Sequence, residues 1–173
     1  FLKSHGDRDI LVRCYKKGVN KVGSYFRDKV SFKYRVDIPE TDFSLCYLTS
    51  GGSMKDFRKF LPESNLIKRT PAKLVTREVM DTKLQAIPFL FNFTILVRTK
   101  AKNFTGSYYD LPIESKGGMC MSPVISDAKG SMILGFHLGG KGKVGGSGIL
   151  TKDQVDFAIA ELSYTDGVVL SAS

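Results

Sequence analysis

The chain has 173 residues, 42% of them hydrophobic, and carries 26 Lys and Arg against 17 Asp and Glu for a formal net charge of +9. That is enough apolar material for one or two modest cores, and no apolar run reaches the roughly 18 residues that a membrane-crossing helix needs. Three cysteines without metal-ligand spacing argue against a disulfide framework or a zinc site and fit a reducing cytoplasm, while the positive charge favours polyanions without selecting one.

In chain order, Phe1-Leu2-Lys3-Ser4-His5-Gly6-Asp7 reads as a short apolar strand breaking into a loop at the imidazole. Val30, Phe32, Tyr34 and Val36 alternate with Ser31, Lys33 and Arg35, the period of a strand. Asp42-Phe43-Ser44-Leu45-Cys46-Tyr47-Leu48 predicts another, with the carboxylate at its start. Cys14 and Cys46 read as small core residues. Turn formers in Leu61-Pro62-Glu63-Ser64 and Thr70-Pro71 place a connection over residues 63–76, between an N-terminal unit over 1–62 and a C-terminal unit over 77–173. Ile87, Phe89, Phe91, Phe93, Ile95 and Val97 form one long period-two series. Further on, Met132, Leu134, Phe136 and Leu138 share one strand face, with Ile133, Gly135 and His137 on the other. The glycine-rich stretch from Gly139 to Gly148 lacks the strand-to-helix context of a phosphate loop. Thr151 and Gln154 have capping-box spacing ahead of Val155, Ala158, Ile159 and Leu162, which predicts a closing helix.

The chemistry gathers at Cys120, in Lys116-Gly117-Gly118-Met119-Cys120-Met121-Ser122-Pro123. Glycines before a cysteine permit a tight turn that aims backbone N–H groups at one point beside the sulfur, as stabilising an oxyanion requires. A thiol attacks as thiolate, so a base must lie within reach. The chain has two histidines. His5, at a loop edge, suits proton transfer; His137, on a strand face, suits lining a pocket. Asp42 can accept the second N–H of the base, with Glu40 and Asp37 as rivals.

This order, His, an acid opening a strand, Gly-Met-Cys and then Gly-Phe-His-Leu-Gly-Gly, resembles the picornavirus-like 3C cysteine proteases over nearly the whole chain. The resemblance implies an all-β protein of two chymotrypsin-like antiparallel β-barrels with a short C-terminal helix, cleaving a viral polyprotein after glutamine in the host cell cytoplasm, without cofactor or metal and away from membranes. It implies His5 as base, Asp42 as acid and Cys120 as nucleophile, with the N–H groups of Gly118, Met119 and Cys120 as oxyanion hole. His137 would floor the glutamine pocket, Tyr109 would hold it neutral, and Ser115 would help hold the glutamine side chain. A neutral imidazole can donate one hydrogen bond to a carboxamide oxygen, whereas a charged one favours glutamate. Leu138, Gly139 and Gly140 would offer a strand edge to an extended substrate.

Two departures stand out. The family places glycine directly after the nucleophile, where this chain has Met121, and His5 is the fifth residue although a barrel needs several strands before its histidine. Residues 1–62 hold room for roughly four or five strands, so further strands of the first barrel are expected upstream of Phe1. The segment Lys55-Asp56-Phe57-Arg58-Lys59-Phe60 resembles the family's RNA-binding stretch, implying viral RNA as a partner through Lys55, Arg58 and Lys59 on phosphates. The alternative is an RNA-binding β-barrel with a vestigial protease site.

Overall fold

In the computed structural model the described residues are 10–15, 25–48, 56–77 and 84–165. β1 (Ile10–Tyr15), β2 (Tyr25–Asp37) and β3 (Ser44–Leu48) form a three-stranded antiparallel sheet in that order. A 3-10 turn at Arg58–Phe60 leads to a second, seven-stranded sheet. Its strands are β4 (Thr70–Thr76), β5 (Gln85–Phe91), β6 (Ile95–Arg98), β7 (Asn103–Asp110), β8 (Pro123–Ser126), β9 (Ile133–Lys141) and β10 (Val144–Gly148). They pair in the order β5-β4-β8-β9-β10-β7-β6, every pair antiparallel.

Thr70–Thr76 therefore belongs to the second sheet, although its turn formers suggested a connection over 63–76. Pro71 is tolerated near the start of β4, and Ala72, Leu74 and Thr76 alternate inward, so burial of that face overrides the turn signal at Thr70-Pro71. The long series from Ile87 to Val97 likewise splits into β5 and β6. Asn92 makes the break: its Nδ2 donates to the Tyr108 carbonyl at 2.8 Å and its carbonyl accepts from Ser107 Oγ at 3.1 Å, leaving Phe93 61% exposed.

One core lies within the second sheet. Leu74, Ile87, Phe91, Tyr109, Leu111, Met119, Val124, Leu134 and Ile149 are buried there, and Phe89 stacks on Tyr109 at 4.4 Å between centroids, so β5 closes over β7. The other fills the seam between the sheets. Ile38, Phe43 and Leu61 meet Leu150, Val155 and Ala158 of helix α1 (Lys152–Thr165), with Phe136 and Leu138 packed against them. The pairing of β8 with β9 shifts between Val124 and Ile125, which breaks the alternation expected along β9. Leu134 and Met132 face the first core while Ile133, Phe136 and Leu138 face the seam. The capping box forms as its spacing predicts: Thr151 N–H donates to Gln154 Oε1 at 2.9 Å, and Gln154 N–H to Thr151 Oγ1 at 3.3 Å.

Candidate active site

The loop between β7 and β8 presents Cys120. Lys116-Gly117-Gly118-Met119 makes a turn closed by Met119 N–H donating to the Lys116 carbonyl at 3.3 Å, and Gly118 takes φ +93°, the sign a glycine tolerates freely. The Met119 side chain is 1% exposed in the core and so anchors the turn. With its neighbour pulled inward, Cys120 is left exposed with a free thiol. The N–H of Met119, expected as an oxyanion donor, is instead spent on the turn, because the positive φ at Gly118 folds the chain back on Lys116. Among the described residues the N–H groups of Gly118 and Cys120 have no acceptor.

Met121 holds φ +69°, a left-handed conformation that costs a residue with a Cβ about 1–2 kcal/mol. What keeps it there is the strand beside it. Met121 N–H donates to the His137 carbonyl at 2.6 Å, and His137 N–H donates to the Ser122 carbonyl at 2.9 Å. Ser122 Oγ donates to Thr76 Oγ1 at 2.9 Å, tying the loop to β4 as well. The cysteine loop and the histidine backbone are one hydrogen-bonded unit.

The His137 ring is 1% exposed. Its Nδ1 lies 2.9 Å from the Tyr109 hydroxyl and its Nε2 3.2 Å from Ser115 Oγ. Burial lowers the pKa of the imidazole and raises that of the phenol, so the neutral forms of both are favoured. Two glycines that sequence reasoning did not single out for this purpose make the packing possible. A Cβ on Gly145 would lie 2.6 Å from Tyr109 Cε2 and 3.1 Å from His137 Cε1, and one on Gly140 would lie 2.1 Å from the Val144 carbonyl oxygen and 3.0 Å from Ser115 Oγ.

Leu138 stands at the bulge where the register shifts between Gly146 and Ser147, and Gly139 and Gly140 pair with β10 on one side only. On the other, β8 pairs no further than Phe136 and the last main-chain bonds fall at His137, so the edge beyond it is open among the described residues. These residues line a cavity of about 420 Å³ together with Val97, Phe104 and Tyr108.

Asp42 does not open β3 but stands two residues ahead of it, in the turn closed by Ile38 N–H donating to the Phe43 carbonyl at 2.9 Å. Thr41 Oγ1 donates to the Ile38 carbonyl at 2.8 Å and accepts from Phe43 N–H at 3.1 Å, which holds the turn rigid. Phe43 packs edge-on against Phe136 at 5.6 Å, bringing the Asp42 turn to β9 one residue from His137. Asp42 is exposed and ion-paired with Lys102, Oδ1 to Nζ 3.5 Å. His5, the expected base, lies outside the described residues, as does Lys55. Glu40 is exposed, and Asp37 accepts from Ser44 Oγ. Cys46 is half-buried on β3, its thiol pKa raised mainly by burial; the Cys14 side chain is outside the described set.

Arg58 is held by carboxylates: Nη2 lies 2.6 Å from Asp56 Oδ2 and Nη1 2.9 Å from Asp156 Oδ1 on α1. The bonds that Asp56 accepts from the Arg58 guanidinium, and then from the Arg58 backbone N–H, hold its carboxyl down at about 2. Lys59 is exposed, with Nζ 5.0 Å from the Phe60 ring centroid.

Two antiparallel sheets meeting at an apolar seam, with a short closing helix, define the chymotrypsin-like two-barrel class. Among solved structures the chain is similar to the HRV-C 3C protein determined with rupintrivir, at 20% identity over 72% of this chain and 71% of that one, with a TM-score of 0.53. It is also similar to an inactive mutant of the murine norovirus NS6 protease, at 12% identity over 85% and 89% with a TM-score of 0.48, and to Rv3671c from M. tuberculosis H37Rv in an inactive mutant form, at 14% over 95% and 80% with 0.49. The fold assignment rests on the first of these. No family model matches the sequence, and no curated protein matches it.

Proposed function

We propose that the chain is a viral cysteine endopeptidase that cleaves a polyprotein after glutamine, at Gln-Gly, Gln-Ala or Gln-Ser junctions, in the host cell cytoplasm. The observation that carries the reading is the buried His137 between Tyr109 and Ser115, its backbone bonded to the loop that exposes Cys120. The motif resemblance and the shared fold of the HRV-C 3C protein support it.

In this mechanism His5 deprotonates Cys120, oriented by Asp42, and the thiolate attacks the carbonyl after glutamine. The N–H groups of Gly118 and Cys120 stabilise the oxyanion. His5 then protonates the leaving amine, the C–N bond breaks, and water hydrolyses the thioester to restore the thiol. Tyr109 donates to Nδ1 of His137, which leaves the proton on Nε2 to be given to the substrate carboxamide oxygen when the side chain displaces Ser115 Oγ. The open edge at Leu138, Gly139 and Gly140 pairs with the extended substrate backbone.

A secondary role in binding viral RNA falls to Lys59 and Lys55. Arg58 contributes less, because a phosphate must displace two carboxylates to reach it. The function is tested by incubating the full chain and its Cys120→Ala variant with a peptide containing a Gln-Gly bond. Cleavage by the former alone supports the reading, and cleavage by both overturns the nucleophile.

A further inference from the structure

The β6–β7 hairpin forms one wall of the cavity beside Leu138, Gly139 and Gly140, through Val97, Thr99 and Phe104. Its turn is tightly built: Thr99 N–H and Oγ1 both donate to the Lys102 carbonyl, at 3.0 and 2.7 Å, and Lys102 N–H donates back to Thr99 Oγ1 at 3.1 Å. From this turn the Lys102 side chain crosses to the other sheet. Its Nζ donates to the Thr41 carbonyl at 3.4 Å and lies 3.5 Å from Asp42 Oδ1.

Among the described residues Asp42 Oδ2 has no partner, so Lys102 holds one carboxylate oxygen and leaves the other free. A single ammonium thus touches both the turn that carries the acid and, through its own backbone, the hairpin that walls the groove. Both ends of the ion pair are partly solvated, 39% and 45% exposed, so the pair adds little to the stability of the fold. What it does supply is geometry.

We propose that Lys102 is a positioning residue that sets the Asp42 carboxylate and, by the same contact, seats the β6–β7 hairpin against the substrate groove; this rests on the protease reading. Losing the ammonium frees the carboxylate to rotate, which slows the chemical step. It also loosens the wall, which weakens binding only for substrates long enough to reach it.

The test compares the full chain with its Lys102→Met and Lys102→Arg variants on two peptides with glutamine before the scissile bond, one extending four or more residues upstream and one truncated to two. Lys102→Met is expected to lower kcat on both peptides about three- to tenfold, to raise KM for the long peptide alone, and to leave Tm within about 2 °C. Lys102→Arg, which keeps the charge, is expected to recover most of kcat. Unchanged kinetics in Lys102→Met, an equal loss in both variants, or a loss matched by a fall in Tm would overturn the proposal while leaving the protease reading intact. An unsubstituted chain that cleaves neither peptide overturns the reading, and this inference with it.

Discussion

The Tyr109 hydroxyl lies 2.9 Å from His137 Nδ1, with both side chains 1% exposed. A hydrogen bond this deep does two things: it satisfies a buried phenol, and it leaves the other ring nitrogen to face the Ser115 side. Tyr109→Phe removes the first effect at about 1 kcal/mol of stability and removes the control over which nitrogen carries the proton. Denaturant titration is expected to show that modest loss, and the ratio of kcat/KM for glutamine over glutamate peptides is expected to fall by about tenfold.

Burial of His137 lowers its folded-state pKa below the usual value of about 6.5. The unfolded chain therefore binds more protons than the folded one as pH falls below about 6.5, so this group's contribution to stability is intact above that pH and is lost as pH drops through the folded-state value. Tm measured from about pH 7 down to about pH 5 is expected to decline more steeply for the unsubstituted chain than for His137→Gln. Equal slopes would show that the ring does not titrate as its burial requires.

Met121 sits in a backbone conformation that suits glycine. Met121→Gly relieves about 1–2 kcal/mol of strain and returns about 0.5–1 kcal/mol through the freer unfolded chain, so a net gain of up to about 1.5 kcal/mol is expected. Met121→Val, with a branched Cβ, is expected to lose stability. Denaturation midpoints should therefore rank glycine above methionine above valine.

The segments that carry the candidate site are legible in the sequence for local reasons. Cys120 and His137 stand out by motif and spacing, Tyr109 and Ser115 only through the family resemblance, and the capping box at Thr151 and Gln154 needs only neighbouring residues to form. The misreadings were tertiary. Pro71 looked like a turn until β4 was buried between β5 and β8; Phe93 continued a strand pattern until the bonds of Asn92 to β7 broke it; and the irregularity opposite Ile125 redirected the β9 faces. The roles of Gly140 and Gly145 were invisible for a related reason, since a missing Cβ matters only against a neighbour brought there by the fold.

Arg58 and Lys59 are adjacent yet differently placed, one clamped by Asp56 and Asp156 and the other exposed. Lys59→Ala is expected to weaken RNA binding and to reduce the slope of log affinity against log salt by about one. Arg58→Ala is expected to change that slope less and to lower Tm more, because it unfastens the 3-10 turn from α1. Filter binding over a salt series, with thermal unfolding of the same variants, checks both.

The central claim is a nucleophilic thiol at residue 120 facing a pocket that selects glutamine. Intact-mass spectrometry of the full chain, treated with a short peptide electrophile bearing either glutamine or glutamate at the reacting end, tests it most directly. The predicted result is a single adduct on Cys120, formed faster with glutamine and absent in Cys120→Ala. Equal labelling by the two reagents, or an adduct on Cys14 or Cys46 in place of Cys120, would contradict it.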